Sequence, residues 1–228
     1  IKLAELWICN RTSQPGTRRT GPASCAGQRH SVPTISMAES SSRSARELLP
    51  RWLPVATLFG TGRAVKVIFE GVDTSLFCPA PKSGLMDKDR FYVFSGGKVE
   101  FRKAQDLVLL AFRKFAEKRR DCVLVTAWHS PWPQFSAGFK GALPVALQTG
   151  ADGRLDIQNW VQQNGIDAQS FIDIGFTPNP LMPAVLREMD VCLQPSRAEA
   201  CTNLPVKEAM ACGVPVIAAA NTGMLDLL

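Results

Sequence analysis

The sequence predicts a doubly wound α/β fold, a parallel sheet covered by helices on both faces. From Val65 onward, short apolar runs alternate with helical patterns about five times. The runs are continuous in Val, Ile, Leu and Phe, as befits strands buried on both sides. Residues that start and stop helices stand at the junctions, among them Pro205 and Gly213.

Taken in order, "VKVIFEG" (65–71) reads as a strand, and "FYVFSGG" (91–97) as a second that ends in two glycines. "AQDLVLLAFRKFAEKR" (104–119) reads as a helix. Leu107, Leu110, Ala111 and Phe115 share one face, and the basic residues gather at its C-terminal end, where they suit the dipole. "CVLVTA" (122–127) is a strand, followed by a Pro/Trp-rich loop and a helix near 154–163. "SFIDIGF" (170–176) is a strand. "NPLMPAVLREM" (179–189) is a helix, with Asn179 as cap and Pro180 in its first turn. "DVCLQPS" (190–196) is a strand, residues 204–212 are a helix, "VPVIAA" (214–219) is a strand, and a helix opens at Leu225. In such sheets ligands sit beyond the carboxyl ends of the strands. Three loops, 96–103, 175–179 and 196–204, should therefore share one rim.

The leading residues differ in character. Residues 12–45 are crowded with Ser, Thr, Gly, Pro and Arg and show no sustained period, so they read as irregular or disordered. A helical patch at 43–53 is interrupted by Pro50. The expected division is 1–62, irregular, and 63–228, folded. Net charge is +6, but residues 1–62 hold eight Lys/Arg against three Asp/Glu, so the folded part is close to neutral. No basic stripe with interleaved aromatics appears, which argues against nucleic acid as a partner. No apolar run approaches the roughly 18 residues of a membrane span. The chain begins with Ile1 and reads as a fragment. The seven cysteines form no C-x-x-C pair, so no metal site is expected. Cys122 and Cys192 lie inside strands as small hydrophobes, and a reducing, cytoplasmic location fits.

Two clusters carry chemistry. In "SRAEACTNLPVKEAMACG" (196–213), Pro205 fits a first helical turn and Thr202 or Asn203 can cap it. The amides of Thr202, Asn203 and Leu204 then point off the rim, a ready phosphate site. Glu199 precedes the helix and Glu208 lies one turn into it. These carboxylates either face the dipole and solvent or accept vicinal sugar hydroxyls. In "SGGKVEFRK" (95–103), Gly96 and Gly97 allow close backbone approach, and Lys98 and Lys103, with Arg102 beside the latter, either clamp a diphosphate or form a solvated basic loop. Three other features read as bland. "DKD" (87–89) is a solvated turn, and "GTG" (60–62) lacks the helix and third glycine of a dinucleotide turn. His129, Trp128 and Trp132 read as packing or loop-closing residues.

The order and spacing of these clusters resemble the C-terminal, nucleotide-sugar-binding domain of GT-B glycosyltransferases, in particular family 4, the glycosyl transferases group 1. "GVDTSLFCP" (71–79), "FSGGKVEFRKAQDLVLLAF" (94–112) and "RAEACTNLPVKEAMACGVPVIAA" (197–219) carry the resemblance, which runs from about Val65 to Leu228. It implies a donor site and a metal- and cofactor-independent, retaining sugar transfer from a nucleoside diphosphate. Lys98 and Lys103 would meet the diphosphate, Glu199 the transferred sugar and Glu208 the ribose. Gly96, Gly97, Thr202, Asn203 and Leu204 would line the phosphate and sugar, and Gly175, Phe176 and Thr177 the base. Eight residues separate the two glutamates where the family has seven, and Ala104 stands where it has Gly. The acceptor-binding N-terminal domain cannot fit in residues 1–62, so a non-catalytic nucleotide-sugar-binding remnant is the alternative. An epimerase of the same architecture is a weaker one.

Overall fold

The computed structural model describes residues 6–8 and 70–227. The strand expected at 65–71, the helical patch at 43–53, the irregular segment 12–45 and the GTG turn lie wholly or almost wholly outside the described residues.

Six strands form one sheet: β1 (Leu6–Ile8), β2 (Phe91–Lys98), β3 (Cys122–His129), β4 (Phe171–Asp173), β5 (Val191–Gln194) and β6 (Val216–Ala219). Their order is β1-β6-β5-β2-β3-β4. All neighbours from β6 to β4 run parallel; β1 pairs antiparallel with β6 through Leu6 and Ala219. That edge strand falls in the segment read as irregular and is a correction to the sequence reading. Three residues are too few to show a period.

β2 and β3 occupy the centre, and their side chains divide by the two-residue strand period. Tyr92, Phe94, Val123 and Val125 pack on one face with Leu186 and Met189, and with Val206 and Ala209. Val93, Leu124 and Trp128 pack on the other with Val108, Leu109, Phe112, Trp160 and Val161. The helices are α1 (Gln105–Lys118), α2 (Pro133–Ser136), α3 (Ile157–Gln163), α4 (Met182–Glu188) and α5 (Leu204–Ala211). Thus α1 and α3 cover one face, and α4 and α5 the other. The chain steps outward from β2 through β3 to β4, then returns to β5 on the other side of β2. The winding reverses between β2 and β5, and this switch point is where open α/β sheets open a crevice.

Among the described residues, the helix expected to open at Leu225 is instead a 3-10 turn, Thr222–Asp226, and the other predicted elements are present with three corrections. In α1 the buried stripe is Gln105, Val108, Leu109 and Phe112, while Ala111 and Phe115 are exposed. The expected face was rotated because two apolar stripes compete on this helix. Its N-terminus decides between them: Gln105 Nε2 donates to Lys98 O at 2.6 Å, which turns the Gln105 side inward. The strand expected at 170–176 stops at Asp173, and the chain turns at Gly175 with φ 58°. Asn179 does not cap the following helix. That segment opens as a 3-10 turn, Asn179–Leu181, and the Asn179 side chain instead reaches Glu208.

Ala104 bridges the β2 loop and α1 at φ 61°, the left-handed region, and is fully buried. A Cβ there costs about 1–2 kcal/mol. A β-branched side chain would add steric conflict in a site with no spare room. Ala104→Val is expected to destabilise the protein by about 3 kcal/mol, read as a lower urea midpoint. For Ala104→Gly, relief of strain and loss of a buried methyl oppose each other, so the change should stay within about 1 kcal/mol.

Candidate functional site

The parallel strands deliver their carboxyl ends to one rim, which brings the three expected loops there. β2 carries Gly96, Gly97 and Lys98 into the first loop. Gly97 has φ 118°, a conformation that suits glycine. β5 leads through Ser196 into the second, and α5 begins at its far end.

The two loops flank the switch point and are stitched together. Arg197 N and Ala198 N donate to Arg102 O at 2.7 and 3.3 Å. The Arg197 guanidinium forks onto Asp106 in the first turn of α1, Nη1 to Oδ1 at 2.8 Å and Nη2 to Oδ2 at 2.6 Å. It also donates to Phe101 O at 2.8 Å and lies over the Phe101 ring at 4.2 Å. Asp106 is fully buried and also accepts from Ala142 N at 2.8 Å. Burial alone would raise its carboxyl, but the Arg197 fork and the Ala142 amide outweigh burial and hold it below the ordinary aspartate value.

This clamp sets Lys103 against Glu199. Lys103 Nζ donates to both Glu199 oxygens, at 2.9 and 2.7 Å. Arg102 Nη1 reaches Glu199 Oε2 at 3.0 Å, and its Nε pairs with Glu100 at 2.7 Å. Asn203 Nδ2 donates to Glu199 Oε1 at 2.8 Å. The Glu199 side chain is only 3% exposed. Its backbone N–H donates to Thr222 Oγ1 at 2.8 Å. Thr222 sits after β6 at φ 44°, a strained value for a β-branched residue. Next to it, a Cβ on Gly223 would stand 2.1 Å from Cys201 O. The loop after β6 thus packs directly under the Glu199 turn.

The other two charged residues stand on separate partners. Lys98 is exposed and its ammonium lies 5.1 Å from the centre of the Trp132 ring. Among the described residues it forms no ion pair. Glu208 accepts from Asn179 Nδ2 at 2.8 Å, which ties α5 to the third loop. Burial pushes the Glu208 carboxyl up; the Asn179 hydrogen bond opposes this, Glu70 adds to it and Lys207 opposes it. Gly175, Phe176 and Thr177 follow β4 on the same rim. Phe176 is 72% exposed and meets His129 edge-on at 5.3 Å. The structure therefore joins Lys103, Glu199 and Asn203, and leaves Lys98 and Glu208 apart from that group.

Asn203 is the N-cap residue of α5, but its carboxamide makes no capping bond; it turns to Glu199 and Ser196. Thr202 Oγ1 caps nothing either. Leu204 opens the helix half-exposed. Trp128 lies within β3 and not in the loop expected there; it is buried and donates from Nε1 to Ser95 Oγ at 3.3 Å. Trp132 does not close the loop: it remains 52% exposed, because it carries Lys98 on its face instead of packing on the body. Sequence reading missed Asp106, Arg197 and Thr222. Asp106 and Arg197 lie 91 residues apart, and no local spacing signals such a pair. The positive φ of Thr222 has no sequence signature.

Cys122, Cys192 and Cys212 are buried, and burial raises all three thiols, Cys192 to about 12 and Cys212 to about 11. They act as small hydrophobes. Asp87 and Asp89 form an exposed turn in which Asp89 N donates to Asp87 Oδ1. Among the described residues no helix is long and apolar enough to cross a membrane.

Comparison with known proteins adds to this geometry. Sucrose-phosphate synthase from Thermosynechococcus elongatus is 22% identical over 77% of this chain, with TM-score 0.56. HepE of Anabaena, solved with UDP and glucose, is 20% identical over 76%, with TM-score 0.54. The alignments cover 40% and 44% of those two chains, so this chain spans less than half their length. The C-terminal domain of a glycosyl transferase group 1 family protein from Francisella tularensis is 25% identical over 65% of this chain and 70% of that one, with TM-score 0.48. The chain matches no curated protein by sequence. The sequence model of one family, described as glycosyl transferases group 1, matches residues 80–228. These residues include all three rim loops and α5, and on that match the chain belongs to the glycosyl transferases group 1 family.

Proposed function

We propose that this chain is the donor-binding half of a glycosyltransferase, which holds a nucleoside diphosphate sugar at the β2/β5 switch point for transfer to an acceptor bound elsewhere. The observation that carries this reading is the junction of Lys103 and Glu199 in front of α5. An ammonium has three N–H donors. Glu199 engages Lys103 through both oxygens and so fixes where its remaining hydrogen points. A cation positioned in advance stabilises negative charge on a leaving diphosphate with little reorganisation. The N-terminus of α5 adds unpaired amides and the positive end of its dipole. Lys98, which pairs with no carboxylate among the described residues, supplies further positive charge at the rim, and in this reading the transfer proceeds without a metal ion. Retention at the sugar carbon and a separate acceptor-binding domain complete the reading, both from the family resemblance.

In this reading Glu208 accepts the ribose hydroxyls in exchange for its bond to Asn179. The test is calorimetric titration of the chain with UDP, UDP-glucose, GDP and GDP-mannose. One nucleoside diphosphate is expected to bind, and Glu208→Ala is expected to weaken it about 10-fold. A 2′,3′-dideoxy version of that nucleotide should be insensitive to the same substitution. Equal losses for both nucleotides would remove Glu208 from the ribose, and no binding by any of the four would overturn the functional reading. Binding without sugar release or transfer would favour the non-catalytic binding module.

A further inference from the structure

Among the described residues, three buried side-chain polar atoms have no hydrogen-bond partner: His129 Nδ1, Thr202 Oγ1 and Asn203 Oδ1. All three belong to the carboxyl-end rim, and two are adjacent in the turn that opens α5. Buried polar atoms are nearly always partnered, so such a grouping calls for a reason.

Asn203 is the most constrained of the three. It is 1% exposed. Its Nδ2 donates to Glu199 Oε1 at 2.8 Å and to Ser196 Oγ at 3.4 Å. The amide could not be turned over, because two acceptors would then face each other at Glu199. The orientation is therefore fixed by chemistry, and Oδ1 is the atom left over. Nitrogen and oxygen of one carboxamide lie about 2.3 Å apart, from bond lengths near 1.3 Å. Oδ1 thus stands within about 5 Å of the Glu199 carboxylate. It is an acceptor with both lone pairs open, so what completes it is a donor. Phosphate oxygens accept only; hydroxyl groups donate.

We propose that the Asn203 side chain selects the sugar: Nδ2 holds Glu199 in place, and Oδ1 accepts one hydroxyl of the sugar on the bound nucleotide. This rests on the donor-binding reading and deepens it, since it assigns to Asn203 a contact beyond its backbone amide. The site then discriminates against a sugar that lacks that hydroxyl, because the buried oxygen would stay unpartnered in the complex.

Two measurements test this on the 228-residue chain. UDP and UDP-glucose, or GDP and GDP-mannose if that pair binds, are titrated into wild type and Asn203→Ala. The free diphosphate has no sugar, so whatever loss the two ligands share through Glu199 and Lys103, the ratio of nucleotide-sugar affinity to diphosphate affinity should fall about 10-fold. A parallel loss for both ligands would make Asn203 a structural residue and overturn the proposal. Should Asn203→Ala fail to fold, wild type alone decides through monodeoxy analogues of the same nucleotide sugar. One analogue is expected to bind about 10-fold more weakly than the parent. If every analogue binds within about 2-fold of it, the proposal is wrong, although binding of the parent would leave the donor-site reading standing. If neither diphosphate nor its sugar binds wild type, both readings fall.

Discussion

Arg197→Met should destabilise this protein by about 3–5 kcal/mol, because it strands a fully buried carboxylate. The guanidinium supplies two short bonds to Asp106, and only the backbone amides of Ala142 and Leu107 would remain. For a chain of this size the melting temperature should fall by roughly 10 °C or more. Adding Asp106→Leu should recover much of the loss, since an apolar pair of similar volume has no charge to desolvate. The pH dependence has a definite sign. The Asp106 carboxyl is depressed in the native state, so the contribution of the pair is full above the ordinary aspartate value and is lost as pH falls through the native one. In Arg197→Met burial, opposed only by the backbone amides, is expected to raise the carboxyl, so that variant should lose stability as pH rises. The gap between the two proteins should therefore close below about pH 4. Chemical denaturation at several pH values checks this, and a gap that does not vary with pH would contradict it.

Lys103→Ala should weaken nucleoside diphosphate binding by about 30-fold, the scale of one well-placed charged hydrogen bond. The residual protein should stay folded, because Arg102 and Asn203 still hold Glu199. Glu199→Gln keeps the shape of the site but releases the lysine, so a smaller loss, about 5-fold, is expected. Lys98→Ala should cost least, about 3-fold, since its ammonium is exposed and lies over Trp132. The ranking is more informative than any single value. Isothermal titration with the three variants measures it, and an equal loss for Lys98→Ala and Lys103→Ala would mean that the buried network does not organise the site.

How far the sequence reveals this molecule depends on the range of each interaction. β2 and β3 are legible because strands buried on both faces must be apolar throughout, and "FYVF" and "CVLV" are. Helix α5 is legible because Pro205 and Gly213 bound it. The face of α1 is not, because Leu107 and Leu110 compete with Val108 and Leu109, and the tie is broken by Gln105 reaching back to Lys98 O. The site divides in the same way. Order and spacing bring Lys103 and Glu199 onto one rim. That they touch follows from the Asp106–Arg197 clamp, which depends on the placement of α1 against β5. Glu208 and Lys98 show the limit of rim-level reasoning: sharing an edge of the sheet does not bring side chains into contact.

The most direct measurement is a crystal structure of this chain with the nucleoside diphosphate it binds. The account predicts phosphate oxygens within hydrogen-bond distance of Lys103 Nζ and the first amides of α5, with the ribose hydroxyls at Glu208. A nucleotide seated at the amino ends of the strands, or phosphates distant from Lys103, would contradict it.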